Sequence, residues 1–288
     1  MPLIRFSDLL SSAARGGYAV GYFEPWNVES LLAILRGAED ARAPVIVGFS
    51  GLFLPTFLRM DLRHFGVFAR AGRVACESAT APVAYLFNET PYWDWAVASL
   101  DLGFNVTMYS NPADHLETHV ARTTELVERA AAVGVEVQSE FGSLEDEDTG
   151  KTDPDGAADF ARRTGVHALG VVAGNRYETT GKFDLDLPLI ERLAAAIPVP
   201  LVLHGGTGAR DDQLREAVAR GIRQVNYGTV QRLVFLECLA KSITDWRVRD
   251  PHLVLGTGHE EDLMRPGLEA VSDLVASKCA VMGAAGKA

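Results

Sequence analysis

Eight short apolar runs recur along this chain, and most are followed by a stretch with helical periodicity. The runs are YAVGYF (18–23), PVIVGFS (44–50), PVAYLF (82–87), NVTMYS (105–110), VEVQSEF (135–141), ALGVVAG (168–174), PLVLH (200–204) and QVNYG (224–228). Amphipathic stretches such as VESLLAILRGAEDA (28–41), HLETHVARTTELVERAAAVG (115–134) and DDQLREAVARG (211–221) lie between them. Strands that are apolar nearly throughout need cover on both faces, and the intervening helices supply it, so the pattern predicts a parallel sheet. Eight such units in a chain of this length fit a closed (β/α)8 barrel, the TIM barrel of the α/β class. An open doubly wound sheet is the competing arrangement. It expects a glycine-rich dinucleotide loop after the first strand, and Tyr22-Phe23-Glu24-Pro25-Trp26 stands there instead.

At 288 residues and 48% hydrophobic, the chain can bury a large core. No stretch reads as a linker, so residues 1–288 are expected to form a single domain. Residues from about 250 to 288 form a C-terminal extension ending in a helix, which packs on the barrel or on a neighbouring subunit. The polar stretch EDEDTGKTDPDG (145–156) reads as a solvated acidic loop over the barrel mouth rather than a metal site. A net charge of −11 argues against nucleic acid or an anionic membrane surface as partner. Cys76, Cys238 and Cys279 have no CxxC spacing and fit a reducing cytoplasm, and no apolar segment is long enough to span a bilayer.

Barrels of this kind carry their sites at the C-terminal ends of the strands. Those ends hold Glu24, Ser50, Asn88 with Glu89, Ser110, Glu140, Asn175 to Glu178, His204 and Asn226. Several acids and one histidine on one rim would perturb each other's ionisation, as catalytic sites require. The loops after strands 7 and 8 contain Gly205-Gly206-Thr207-Gly208 and Asn226-Tyr227-Gly228-Thr229. These two loops are the usual phosphate site of such barrels, where backbone N–H groups surround the anion. A side chain at Gly206 is expected to weaken a phosphorylated ligand while leaving the fold intact.

At these residues the chain resembles the class II, zinc-dependent fructose-bisphosphate and tagatose-bisphosphate aldolase family. The resemblance runs through YAVGYF, VESLLAILRGAEDARAPVIV, TDPDGAADFARRTGVHALGVVAG, IPVPLVLHGGTG and GIRQVNYGT to MGAAGKA. It implies a (β/α)8 barrel, dimers or tetramers, and a zinc held by three histidines that polarises a ketone phosphate so that a neighbouring proton can leave. The family's His-Leu-Asp-His motif is Leu86-Phe87-Asn88-Glu89 here, which puts Glu89 at a zinc position and Asn88 at that of the acid/base aspartate. The second zinc histidine falls at Tyr177-Glu178, and only the third survives, as His204. Ser110 stands for an aspartate used for a second cation, while Glu140 and Asn226 match the family. Glu24 appears where the family commonly has an asparagine. Lys182 lies where a family lysine follows the sixth strand, and it joins Gly174 in the expected phosphate set with Gly205, Gly206, Thr207, Gly208, Gly228 and Thr229.

The central departures are polar, which reads as a rebuilt site, because buried polar groups without a purpose are costly. One version keeps a divalent metal (Zn, Mn or Mg) on Glu89 and His204, with Glu140, Glu178 or Glu24 as third ligand. The other uses Glu24 or Glu89 as general base, with Asn88, Asn226 and His204 donating to the developing oxyanion. Either abstracts a proton next to a carbonyl of a small phosphorylated substrate. That chemistry serves a carbon–carbon lyase, the expectation here, and equally a sugar-phosphate isomerase or epimerase. A barrel that only binds sugar phosphates is the non-catalytic alternative. Trp26, Trp93 and Trp95 either stack on a sugar or pack, and His115, His119 and His167 read as structural or surface residues. Cys238 and Cys279 read as helix packing.

Overall fold

All eight apolar runs become strands, each set in the sheet by the parallel partner on either side. The computed structural model describes residues 3–56, 60–142, 151–176, 181–243 and 250–288. In chain order the elements begin with α1 (Phe6–Gly16), β1 (Val20–Phe23), α2 (Val28–Asp40), β2 (Val45–Val47), α3 (Phe53–Thr56), α4 (Leu62–Ser78) and β3 (Val83–Thr90). They continue with α5 (Trp93–Ser99), β4 (Val106–Tyr109), α6 (Leu116–Ala132), β5 (Glu136–Phe141), α7 (Pro154–Thr164) and β6 (Ala168–Val171). The last are α8 (Leu187–Ala196), β7 (Leu201–Leu203), α9 (Asp211–Ala219), β8 (Ile222–Tyr227), α10 (Thr229–Ser242), α11 (Pro251–Val254) and α12 (Arg265–Val281). Strands β1 to β8 pair in sequence order and β8 pairs with β1, so the sheet is a closed TIM barrel.

Local signals explain where the helices start. Asn27 and Ser30 form a capping box before α2, with Asn27 Oδ1 accepting from Ser30 N at 2.8 Å. Asp153 caps α7 and Pro154 occupies its first turn, where a missing N–H costs nothing. The end of the acidic stretch is therefore helix rather than loop, and residues 143–150 lie outside those described.

One element was not anticipated. The N-terminal helix α1 buries Phe6, Leu9, Leu10 and Ala13 under the barrel. Arg5 at its N-cap and Ser7 in its first turn hold Glu136 at the start of β5: Arg5 Nη2 reaches Glu136 Oε1 at 2.9 Å, and Ser7 N donates to Oε2 at 2.8 Å. The C-terminal extension packs on α2 and α10, and Ser272 Oγ donates to Ala33 O at 2.7 Å. Helices α12 and α2 approach so closely that a Cβ on Gly37 would lie 2.3 Å from Ser272 O. Among the described residues, no helix is long and apolar enough to cross a membrane.

Candidate active site

A cavity of about 1030 Å³ opens at the C-terminal ends of the strands. Glu24, Asn88, Glu89, Glu140, His204 and Asn226 all line it, so the closed barrel gathers the whole expected catalytic set. Ser50 and Ser110 also face it.

Its centre is a contact between two of these residues. His204 follows β7 and is 1% exposed, and its Nδ1 stands 2.6 Å from Glu89 Oε1. Glu89 reaches it because the backbone there is left-handed, with φ 50°, where the register of β3 against β4 shifts between Phe87 and Thr90. A non-glycine residue pays for that conformation, and such strain gathers at functional positions. Gln224 Nε2 donates to Asn226 Oδ1 at 2.8 Å, which turns Asn226 Nδ2 toward His204 Nε2 at 3.4 Å. Burial pushes the His204 imidazole down, but the Glu89 carboxylate and the charge of Glu140 outweigh it and raise its pKa above the ordinary value. The amide of Asn226, as oriented, favours the neutral ring, and the two carboxylates win. Ser110 Oγ donates to Glu140 Oε1, so Ser110 serves here as a hydrogen-bond donor.

Two residues that the sequence reading passed over complete the centre. Tyr22 lines the cavity and donates its phenol hydrogen to Gly48 O at 2.9 Å. Burial, and then the charges of Glu24 and Glu89, push the phenol pKa well up. Asn88 is 1% exposed, and its Oδ1 has no hydrogen-bond partner among the described residues. Its Oδ1 calls for a donor, whereas the sequence reading expected Asn88 to donate. The other missed residue is Arg232, in the first turn of α10. Its Nη2 pairs with Glu24 Oε1 at 2.8 Å, and its guanidinium lies over the Trp26 and Phe53 rings. Tyr22 had a signal, since it sits one residue short of a strand end; Arg232 had none.

His119 also lines the cavity rather than the surface. It stacks on Tyr109 and Phe160 with Nε2 3.1 Å from Ser139 Oγ, and burial lowers its pKa. His115 is exposed, and His167 Nδ1 accepts from Val137 N at 3.1 Å, as structural residues do. Trp26 borders the cavity, whereas Trp95 stacks on Phe65 in the core and Trp93 packs on Tyr109. The cysteines lie in α4, α10 and α12.

The glycines have reasons internal to the fold. Gly205 has φ 71°, and a Cβ there would lie 2.1 Å from Arg176 O. A Cβ on Gly206 would meet Asn226 O at 2.9 Å, and one on Gly208 would meet the Phe183 ring at 2.3 Å. The Gly206 N–H donates to Asn226 O at 2.8 Å and the Gly208 N–H to Gly205 O at 3.1 Å. Those two amides are spent inside the turn, so the phosphate reading narrows to Thr207, Gly228 and Thr229, which face the cavity with Gly205. Gly174 and Lys182 border a separate hollow of about 560 Å³, although Lys182 Nζ reaches Thr207 O at 3.3 Å. Asn175 is turned into its own loop, with Oδ1 accepting from Ala173 N and Nδ2 donating to Val171 O.

The zinc centre that the resemblance implies does not fit these donors. The Nδ1 of His204 faces Glu89 and its Nε2 faces the amide of Asn226. Among the described residues, no three His, Cys, Asp or Glu side chains gather to hold a metal ion. Tyr177 and Glu178 lie outside the described residues.

Comparison with known proteins agrees with this architecture. The family model described as "Fructose-bisphosphate aldolase class-II" matches residues 4–287. A fructose-bisphosphate aldolase of Geobacillus stearothermophilus is 30% identical over 302 aligned residues, covering 100% of this chain and 99% of that one. One from Thermus caldophilus is 29% identical, covering 99% of this chain and 100% of its own. The crystal structure of the YdjI aldolase from Escherichia coli K12 superposes with a TM-score of 0.84 at 26% identity, covering 99% of each chain.

Proposed function

The chain belongs to the class II fructose-bisphosphate aldolase family, and from that premise we propose that it is an aldolase-like carbon–carbon lyase acting on a small phosphorylated carbonyl compound. The observation that carries this reading is the His204–Glu89 contact inside the rim cavity. In condensation the carbon next to the carbonyl loses its proton to the Glu89 carboxylate and bonds to the aldehyde carbon, whose oxygen takes a proton from water. In cleavage that hydroxyl proton leaves to water, the carbon–carbon bond breaks, and Glu89 returns its proton to the enediolate carbon. The charged His204 ring and the Asn226 amide donate hydrogen bonds to the oxygen on which the enediolate charge develops. Glu140 adds charge that keeps His204 protonated, and Asn88 Oδ1 accepts from a substrate hydroxyl. The phosphate lies at Thr207, Gly228 and Thr229, where the N-terminus of α10 favours an anion.

Asn88 favours a second reading, as an isomerase or epimerase. It has no proton to relay, so it cannot serve a departing aldehyde oxygen as an aspartate would. Incubation with a panel of ketose 1-phosphates, followed by NMR, separates the readings. The lyase predicts triose phosphate release; new isomers without cleavage support the second reading, and binding without turnover makes the protein a sugar-phosphate-binding barrel.

A further inference from the structure

We infer that Glu24 is a built-in competitor for the anionic end of the ligand, and that Arg232 exchanges this carboxylate for phosphate when the ligand binds. The inference rests on the phosphate reading of the β7 and β8 loops and says how that corner selects its anion.

Glu24 follows β1, is 4% exposed, and lines the cavity beside the start of α10. Its Oε2 lies 3.6 Å from where a Cβ on Gly228 would sit, and Arg232 Nη1 lies 3.9 Å from the same point. The carboxylate therefore stands on the cavity side of Gly228, next to the N–H groups and positive dipole end of α10, where a ligand anion would be favoured. Two anions would then share one cation. Arg232 has five N–H donors, and it donates from Nη2 to Glu24 Oε1 at 2.8 Å and from Nη1 to Gly228 O at 3.0 Å. The Trp26 and Phe53 rings, each 5.6 Å from the guanidinium carbon, hold the cation in place without consuming its donors. A guanidinium so held can change partner without moving far. Independently, Asn88 lines the same cavity with its buried Oδ1 unpartnered, which calls for a ligand that brings a donor.

The exchange makes the corner selective. A phosphate dianion attracts Arg232 more strongly than the single charge of Glu24 does, whereas a monoanionic carboxylate has no such advantage. Phosphate displaces Glu24; acetate does not. The displaced carboxylate then faces the bound ligand.

The test is calorimetric titration of inorganic phosphate and acetate into the wild type, Glu24→Gln, Arg232→Gln and the double variant, with Glu24→Asn as a second substitution should the first disturb folding. Glu24→Gln is expected to tighten phosphate on the order of tenfold and to admit acetate, and Arg232→Gln to weaken phosphate by a similar factor. In the Arg232→Gln background, removing Glu24 should gain less than about twofold, because nothing remains to compete for. An equal gain in both backgrounds means simple repulsion and overturns the exchange, as does weaker or unchanged phosphate binding by Glu24→Gln. Phosphate binding that is unaffected by any substitution sinks this inference and leaves the phosphate reading standing. No phosphate binding by any of the proteins sinks both.

Discussion

His204 and Glu89 belong to strands on opposite sides of the barrel, yet Nδ1 of one stands 2.6 Å from Oε1 of the other. Four strand positions separate β7 from β3 either way round the ring, so only closure brings the two side chains together. The left-handed backbone at Glu89 then turns its carboxylate across the mouth. An acid and a base from elements distant in sequence thus meet at ion-pair distance.

The first consequence is a pH dependence of stability. The folded pKa of His204 is raised, so the stabilisation that its proton provides is complete below the ordinary imidazole value of about 6.5 and is lost as pH rises through the folded value. Glu89→Gln removes the larger of the two raising charges. The difference in unfolding midpoint between wild type and Glu89→Gln should therefore shrink from about pH 6 to about pH 9. NMR titration should also find the His204 ring losing its proton at lower pH in the variant. A stability difference that grows with pH would contradict this account of the pair.

The glycine loop makes a prediction that separates packing from binding. A methyl group at Gly206 or Gly208 has no room against Asn226 O or the Phe183 ring, so Gly206→Ala and Gly208→Ala should each cost about 1–3 kcal/mol in ligand-free protein. A larger side chain here is therefore predicted to strain the fold itself, where the sequence reading expected an effect on the ligand alone. Chemical denaturation without phosphate measures it, and unchanged midpoints would return these glycines to a purely ligand-binding role.

The barrel floor should behave differently from its mouth. Burial pushes the Glu136 carboxyl up, but the Ser7 and Arg5 hydrogen bonds outweigh it and hold its pKa below the ordinary value. Its contribution is present above the usual glutamate range and is lost as pH falls through the folded value. Glu136→Gln should cost about 1–3 kcal/mol and flatten the acid limb of the stability curve, with turnover unchanged at temperatures where both proteins are folded. Equal acid sensitivity of variant and wild type would show that Glu136 is not the group responsible.

The strand count and the rim positions were legible because they follow from local patterns. Apolar runs give strands, and a closed parallel barrel fixes which ends of them face the site. What the sequence could not convey were directions. Asn88 reads as an amide, and only the structure shows that its Oδ1 is buried without a partner. Glycine at 206 and 208 suggests an approaching ligand, whereas neighbouring side chains and carbonyls occupy the space. Arg232 lies four residues into a loop-and-helix start with no motif around it, and its importance arises from a residue on β1's far end, 208 positions earlier. Helix α1 was legible too, since Phe6, Leu9, Leu10 and Ala13 recur at helical spacing, but it precedes the first strand and so lies outside the strand–helix alternation.

Metal content bears on the departure from the family's three histidines. Protein purified without chelator is expected to carry well below about one equivalent of zinc, manganese or magnesium, since a protonated His204 facing Glu89 at 2.6 Å has no lone pair to offer an ion. Cleavage of fructose 1,6-bisphosphate should be at least about a hundredfold slower than by a zinc-loaded aldolase, as loss of one member of a cooperating group usually costs that much. About one tightly held equivalent would mean that the Glu89–His204 contact opens to admit an ion.

The central claim is that Glu89 and His204 together remove a proton next to a carbonyl. It is tested most directly by hydrogen–deuterium exchange of dihydroxyacetone phosphate in D₂O, followed by NMR with wild type, Glu89→Gln and His204→Ala. The account predicts enzyme-dependent deuterium incorporation at the carbinol carbon by the wild type, slowed on the order of a hundredfold or more in each variant. Exchange by either variant at the wild-type rate, or none by a folded wild type that binds the compound, would contradict it.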